Sequence, residues 1–312
     1  MRVVLIANPL ATTASARQRD VVVRAIASQA ELEVAETANR GHAAALACRA
    51  MRHGADAVVG IGGDGTLNEI VNGLLTDGRH DAVPALGVIP AGSTNVFARA
   101  IGIPDDPIEA TGYLLEGLRS GHRRAVSLGQ ADDRWFCFAA GMGFDAAIVG
   151  AVERKRRQGR RSTHLLYARV GVREFFQGDR RHPRLHVELP DGSRLDNVYF
   201  AIVANAEPWT YLGHRALHPT PQVTFDTHLG LYARRRMSAA GILWSVARLS
   251  GDSPRIGRRG AHVVHDLDHL TLLGDEPLAF QVDGEYADLR EKVTFRSVPE
   301  ALDVVTSPAG LS

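Results

Sequence analysis

Three glycines and one acid stand together in VVGIGGDGTLNEIVNGLL, residues 58–75. Val58, Val59 and Ile61 form an apolar run that enters Gly62, Gly63 and Gly65, with Asp64 among them. Leu67, Ile70, Val71, Leu74 and Leu75 then recur at the spacing of one helix face. Glycine admits positive φ and lets a ligand or another backbone come close. Free N–H groups at such a turn, beside a helix N-terminus, suit a phosphate. Asp64 would repel bare phosphate but suits Mg²⁺, phosphate-bound Mg²⁺, or a hydroxyl that must lose its proton. The plainer alternative is a tight turn with Asp64 capping the helix it opens. Thr66, Asn68 and Glu69, directly behind the glycines, make the pattern denser and favour a nucleotide site. Late in the chain, VDGE (282–285) brings Asp283 and Glu285 together. Its local reading is an Asp-Gly hairpin with an exposed acid.

These residues need elements to hold them. Residues 2–9 read as a buried strand and 15–29 as a helix. Residues 31–37 read as a second strand, and 42–54 as a helix closed by Gly54. Residues 56–63 make a third strand. Residues 84–92 make a fourth, followed by a helix over 93–102 with Ser93 as its N-cap. Another helix spans 107–121. Strands alternating with helices argue a doubly wound parallel sheet, on which ligands bind beyond the strand C-termini. Asn8, Thr37, Gly62 to Thr66, and Gly92, Ser93 and Asn95 all fall at such ends. From about residue 125 the pattern changes to strands with turns, over 123–141, 184–206, 269–288 and 292–307. Helices interrupt near 145–176 and 237–250. The expectation is a nucleotide-binding α/β domain over 1–125 and an antiparallel β-sandwich over 126–312, its last strand able to pack back near the first domain.

The chain of 312 residues is 45% hydrophobic, with net charge +1. That suits ordinary globular cores and excludes a whole-molecule polyanion binder. No apolar run approaches the roughly 18 residues of a membrane span. Cys48 and Cys137 sit in apolar surroundings and read as buried thiols, which with the unremarkable N-terminus points to the cytosol. No Cys/His cluster has zinc spacing. Lys155 and Lys292 are the chain's two lysines, and neither lies in a GxxxxGK[ST] loop or a VAIK-like strand. A P-loop or protein-kinase site is thereby excluded.

GGDGTLNEIVNGL, LGVIPAGSTNVFARAIGIP (86–104), TANRGHAAALA (37–47) and VDGE occur here in one order and spacing. Together they resemble the diacylglycerol kinase catalytic-domain family, the soluble lipid kinases related to sphingosine kinases within a NAD kinase-like superfamily. The resemblance implies transfer of a phosphoryl group from ATP to a lipid hydroxyl, diacylglycerol first, giving phosphatidic acid for phospholipid synthesis. It implies an α/β domain followed by a β-sandwich, with the site in the cleft between them. Asn8, Thr37, Gly62, Gly63, Gly65, Thr66 and Ser93 would hold ATP, grouped with Asn68, Glu69, Gly92 and Asn95. Asp64 would stand at the transfer centre with Mg²⁺, and Glu285 would be the general base. Asp145, in GMGFDAAIV, matches a position near the lipid head group, and reads equally as a helix N-cap. The chain departs from the family in NPLATT (8–13), where the usual loop is NPxSG, and in Val96, where Asp is usual. Thr12, Thr13 and Ser15 offer hydroxyls in place of the missing glycine. In TFDTHLGL (224–231), Thr227 and His228 replace the family's frequent acidic pair, so no structural metal ligands are assigned there.

Six cations lie between Arg154 and Arg161, followed by an apolar stretch to Phe176. Residues 153–176 read either as peripheral contact with an anionic membrane surface or as a solvated loop before a packed helix. YARRRM (232–237) is a further basic cluster, read as surface. No aromatic-basic platform or helix-turn-helix pattern suggests nucleic acid. A homodimer is compatible with sandwich edges. Two other functions compete: a NAD kinase, which shares GGDGT, and a non-catalytic lipid-binding protein.

Overall fold

The computed structural model describes residues 1–9, 15–157, 183–212, 215–250 and 260–308. The chain divides into two compact units, Met1–Leu128 with Pro299–Ser312, and Gly129–Val298.

The first unit is built on parallel strands. β1 (Arg2–Ala7), β2 (Glu31–Glu36), β3 (Ala57–Gly62) and β4 (Ala85–Pro90) lie in the order β2-β1-β3-β4. β3 and β4 are buried along their whole length, as expected of central parallel strands. β2, at the edge, is mostly exposed. The far side of β4 is closed by the end of the chain, with Val304 paired in parallel to Leu86. Helices cover both faces. α1 (Ala16–Ala27) and α5 (Pro107–Ser120) share a core with Leu5, Val59, Ile61 and Ile89. α2 (His42–Arg52) and α3 (Asp64–Leu74) pack on each other and on β1 and β3. They pack tightly: a Cβ on Gly73 would lie 2.2 Å from the Ala44 carbonyl.

The helix expected over 93–102 is shorter. α4 runs Val96–Ala100, its N-cap is Asn95 at φ 48°, and Ser93 is exposed and caps nothing. Ser15 does cap a helix. Its hydroxyl accepts from Gln18 N at 3.2 Å and its backbone N–H donates to Gln18 Oε1 at 2.9 Å, closing a capping box on α1. The rest of the NPLATT loop beyond Pro9 lies outside the described residues.

The second unit is a β-sandwich carried on a long hairpin. Along the chain come β5 (Arg123–Ala131), which begins in the first unit, β6 (Arg134–Phe136) and β7 (Ala139–Gly143), then β8 (Leu185–Glu188), β9 (Arg194–Val198) and β10 (Phe200–Ala204). Then follow β11 (Thr210–Leu212), β12 (Arg215–Leu217), β13 (Leu229–Arg234), β14 (Ala261–Leu267), β15 (His269–Val282) and β16 (Glu285–Val305). β15 pairs with β16 along one edge. Along its other edge, residues 271–274 pair with β8 and residues 280–282 with β7. A register shift between Leu273 and Leu278 separates the two halves, so one strand serves both layers. β7, β10, β13 and β14 continue one layer, β8 and β9 the other. Met142, Val203, Leu231, Phe280, Leu185, Val187 and Phe295 fill the space between. The stretches 269–288 and 292–307, read separately, are joined: β16 is a single strand that leaves this unit and ends in the first. Cys137 is buried, whereas Cys48 is only half-buried.

Alternation then decides the opposite face of the β7 layer. Gln281, Gly141, Ile202 and Tyr232 stand opposite one another across four strands and point away from the sandwich core. α6 (Phe144–Arg157) covers this face, packing on β15, β7 and β10. α7 (Ala239–Leu249) carries Ser245, whose hydroxyl meets Arg234 at the end of β13. The basic stretch from residue 158 to 176 lies outside the described residues. Among the described residues, no helix is long and apolar enough to cross a membrane.

Candidate functional site

The strand ends of the first unit converge. Thr37 N donates to Ala7 O at 2.9 Å, and Asn8 N to Ile61 O at 3.1 Å. Asn8 Nδ2 reaches Thr66 Oγ1 at 3.2 Å, which ties the first strand end to the glycine turn. Gly63 and Gly92 meet backbone to backbone: a Cβ on Gly92 would sit 2.5 Å from Gly63 Cα. Gly62 is equally confined, with a Cβ there falling 2.6 Å from the Thr66 side chain. These glycines are required by loop-to-loop packing before any ligand is considered. Gly65 lies in the first turn of α3.

Asp64 opens α3 but does not cap it; Gly63 is the N-cap and has no side chain to offer. The carboxylate reaches across to the second loop instead. Oδ2 accepts from Val96 N at 3.0 Å and Oδ1 from Phe97 N at 3.1 Å. It is α4 that Asp64 caps, supplying what Asn95 does not. The role of Val96 here is its backbone N–H, which any residue but proline offers. Asn95 folds back on its own loop: Oδ1 accepts from Gly92 N at 2.9 Å, and Nδ2 donates to Gly92 O and to Asp105. Glu69 does for α2 what Asp64 does for α4. Oε1 accepts from Gly41 N at 2.8 Å and Oε2 from Ala43 N at 3.1 Å, at a helix start whose N-cap glycine offers no side chain. Asn68 is buried, and its carbonyl and amide oxygens accept from Asn72. Asp105 and Gly41 are partners that no local pattern announces.

A Mg²⁺ ion fits the first-unit rim only in one form. Among the described residues no three His, Cys, Asp or Glu side chains form a metal-binding group. A single carboxylate, Asp64, suits an ion that arrives on nucleotide phosphates and keeps its waters.

The second unit contributes a different set. Asp283 and Gly284 both have positive φ, 47° and 75°, and form the tight turn between β15 and β16. Asp283 is buried, and its carboxylate accepts from Cys137 N at 2.7 Å, Phe138 N at 3.0 Å and Ala139 N at 3.2 Å. It anchors the turn to the start of β7. Glu285 follows as the first residue of β16, opposite Val282 and half-buried. Asp145 lies in the first turn of α6 and is 9% exposed. Burial lifts its carboxyl from 3.8 to about 7, and a hydrogen bond from Gln281 opposes that rise. Gln281 Nε2 donates to Asp145 Oδ2 at 3.4 Å, and Gln281 Oε1 accepts from Gly284 N at 3.0 Å. Sequence reasoning missed Gln281. Its signal was weak but present: a polar residue in an otherwise apolar strand end, directly before the VDGE turn.

Residues 2–131 match the model of the diacylglycerol kinase catalytic domain. A Chromohalobacter salexigens protein named "Probable lipid kinase YegS-like" is 33% identical over 60% of this chain and 57% of its own length. A Staphylococcus aureus diacylglycerol kinase is 37% identical over 38% of this chain and 35% of its own. The chain thus spans between about a third and somewhat over half of the curated relatives it matches. Among solved structures, a diacylglycerol kinase from Bacillus anthracis superposes with TM-score 0.73 at 19% identity, covering 99% of this chain and 98% of that one. An Archaeoglobus fulgidus NAD kinase in complex with ATP superposes with TM-score 0.52 at 12% identity, covering 99% and 95%. These likenesses show the fold. Residues 2–131 are thus similar to the catalytic domain of diacylglycerol kinases.

Proposed function

We propose that the protein is an ATP-dependent lipid kinase that phosphorylates a lipid hydroxyl, with diacylglycerol as acceptor and phosphatidic acid as product. The observation that carries this reading is the convergence of Asn8, Thr37, Gly63, Thr66 and Gly92 at one rim of a parallel sheet. That rim lies wholly inside the stretch that matches the family. Relatives named as lipid kinases support the acceptor class. The named nucleotide of a fold neighbour supports ATP.

In this reading the rim's backbone amides and the Thr37, Thr66 and Ser93 hydroxyls bind and orient the nucleotide phosphates. Gly65, Asn68, Glu69, Gly92 and Asn95 shape the rim. Asp64 would hold Mg²⁺, and the ion when bound would neutralise phosphate charge. Glu285 takes the proton of the acceptor hydroxyl. Asp145 sits beside the lipid head group, where a carboxyl titrating near neutrality can accept or return a hydrogen bond. No lysine is needed, because amides, arginine and the ion supply the positive field. The acceptor lies in a bilayer, so the protein works at the inner membrane surface from the cytoplasm, as a peripheral protein.

A second reading is a non-catalytic lipid-binding protein. It is favoured by one observation: both Asp64 oxygens are already bonded to α4 amides. Transfer of labelled γ-phosphate from ATP to lipids in mixed micelles with Mg²⁺ separates the two, comparing wild type with Asp64→Asn and Glu285→Gln. Transfer to diacylglycerol, lost in both folded variants, upholds the kinase. Nucleotide binding without transfer to any lipid would sink it.

A further inference from the structure

We infer that Gln281 is a positioning residue, whose side-chain amide ties the Asp145 carboxyl to the Asp283–Gly284 turn and so fixes Asp145 relative to Glu285. Its consequence for turnover rests on the lipid-kinase reading above; the clamp itself does not.

Gln281 is 1% exposed, so its amide has no water to fall back on and both ends must find protein partners. They do. The oxygen takes the Gly284 N–H and the nitrogen donates to Asp145. Glutamine is the side chain that offers one acceptor and one donor at this reach without charge. The site is built around it. Gly141 faces Gln281 across the sheet, and a Cβ there would come within 3.1 Å of Gln281 Nε2 and 3.5 Å of Asp145 Oδ2. A glycine at 141 thus leaves the space in which amide and carboxyl meet. The turn is held from two sides, by Asp283 on the amides of residues 137–139 and by Gln281 on Gly284. Glu285 leaves that turn with little freedom.

The groups facing Asp145 are few. β7 (AAGMG) and β10 (FAIVA), both packed under α6, carry no ionisable side chain. β15 presents Gln281. β16 presents Tyr286, whose ring lies under Gly150 of α6, while Glu285 pairs with Val282. Asp283 is committed to backbone amides. Among the described residues of these strands no cation faces Asp145, and the Gln281 amide is the donor that favours its ionised form.

The test uses the full chain, with Gln281→Met and Gln281→Glu. Carboxyl ¹³C NMR of Asp-labelled protein follows Asp145, whose resonance is the one that disappears in Asp145→Asn. Its midpoint should lie near 7 in wild type. In Gln281→Met it should rise by about one pH unit, the order expected for one lost charge-assisted hydrogen bond. Transfer to dispersed diacylglycerol should show kcat lower by about tenfold, its acid limb moved upward, and KM for lipid changed by less than about twofold. Gln281→Glu should keep activity while the acid pair shares one proton and lose it in alkali, at a pH above the wild-type Asp145 midpoint, as both acids ionise. A Gln281→Met titration and rate profile that overlay wild type would overturn the inference. If wild type transfers phosphate to no lipid, the kinase reading fails, and the NMR midpoint alone decides the clamp: a shift upholds it, none overturns it. If Gln281→Met does not fold, Gln281→Glu decides. Activity kept in acid and lost in alkali upholds the clamp, and equal behaviour at both overturns it.

Discussion

The two units treat their carboxylates in opposite ways. In the first, Asp64 and Glu69 each accept two backbone N–H bonds at the start of a helix. Such acids serve as struts that join separate segments. In the second, Asp145 is buried with one long side-chain amide bond, and its carboxyl is pushed to about 7. The residue type matches Asp64; the donors do not. Amides turn an acid into scaffold, and their scarcity leaves a proton poised to move. The second unit also holds its own control in Asp283, which accepts three amides next to the same turn.

That control gives the largest expected effect. Asp283→Ala would strand three buried N–H groups at roughly 1–3 kcal/mol each. A loss of several kcal/mol is comparable with the whole stability of many domains. Urea denaturation should show the second unit unfolding at much lower midpoint, or unfolded at the outset. A loss below about 1 kcal/mol would mean that Asp283 is not a strut and would blur the comparison. Next comes Glu285→Gln, two residues on. If Glu285 takes the acceptor proton, transfer should fall roughly 10²- to 10⁴-fold with the melting temperature unchanged. A variant with wild-type kcat would leave the second unit without its base.

The Asp145 carboxyl predicts a pH dependence with a definite sign. Its folded value is raised, from 3.8 to about 7, so the folded state holds a proton that the unfolded chain has already released. Stability is therefore greatest below pH 4 as far as this group is concerned, and declines as pH rises toward 7. At about 1.4 kcal/mol per pH unit, the decline has a ceiling on the order of 4 kcal/mol. Asp145→Asn, neutral throughout, should flatten that slope between pH 4 and 7 in denaturation curves. A slope unchanged in the variant would assign the pH dependence elsewhere.

What could be read in the sequence follows the range of each interaction. The α/β and β halves were legible because hydrophobic periodicity is local, and the glycine turn because strand, glycines and helix follow without a gap. The rim was legible for the same reason: strand ends can be counted along the chain. The partners of the acids were not. Asp64 bonds residues 32 and 33 positions on, and Glu69 bonds 28 and 26 positions back. Gln281 meets Asp145 across 136 positions. A carboxylate in a glycine turn looks the same whether a helix start or a metal ion will face it. The Ser93 expectation failed for this reason. Serine is a good cap locally, but Asp64 had already supplied the α4 amides from another loop. The stretches 269–288 and 292–307, read separately, are joined by β16, in which Arg290 pairs in register with Leu278 and bonds Asp288.

The smallest effect tests the scaffold side of the comparison most cleanly. Glu69 sits among residues assigned to nucleotide contact, yet both its oxygens are spent on α2. If that is its role, Glu69→Ala should cost about 1 kcal/mol, the usual scale for a lost helix cap, measured by chemical denaturation. Glu69→Gln should recover part of it, since one amide oxygen still accepts one N–H. Neither should change KM for ATP beyond about twofold. A large rise in that KM with stability intact would move Glu69 from strut to ligand contact, and would show that two backbone bonds do not remove a carboxylate from the chemistry of its site. By the same logic Asp64, with the same two-amide pattern, would then have to be judged by turnover rather than by its partners.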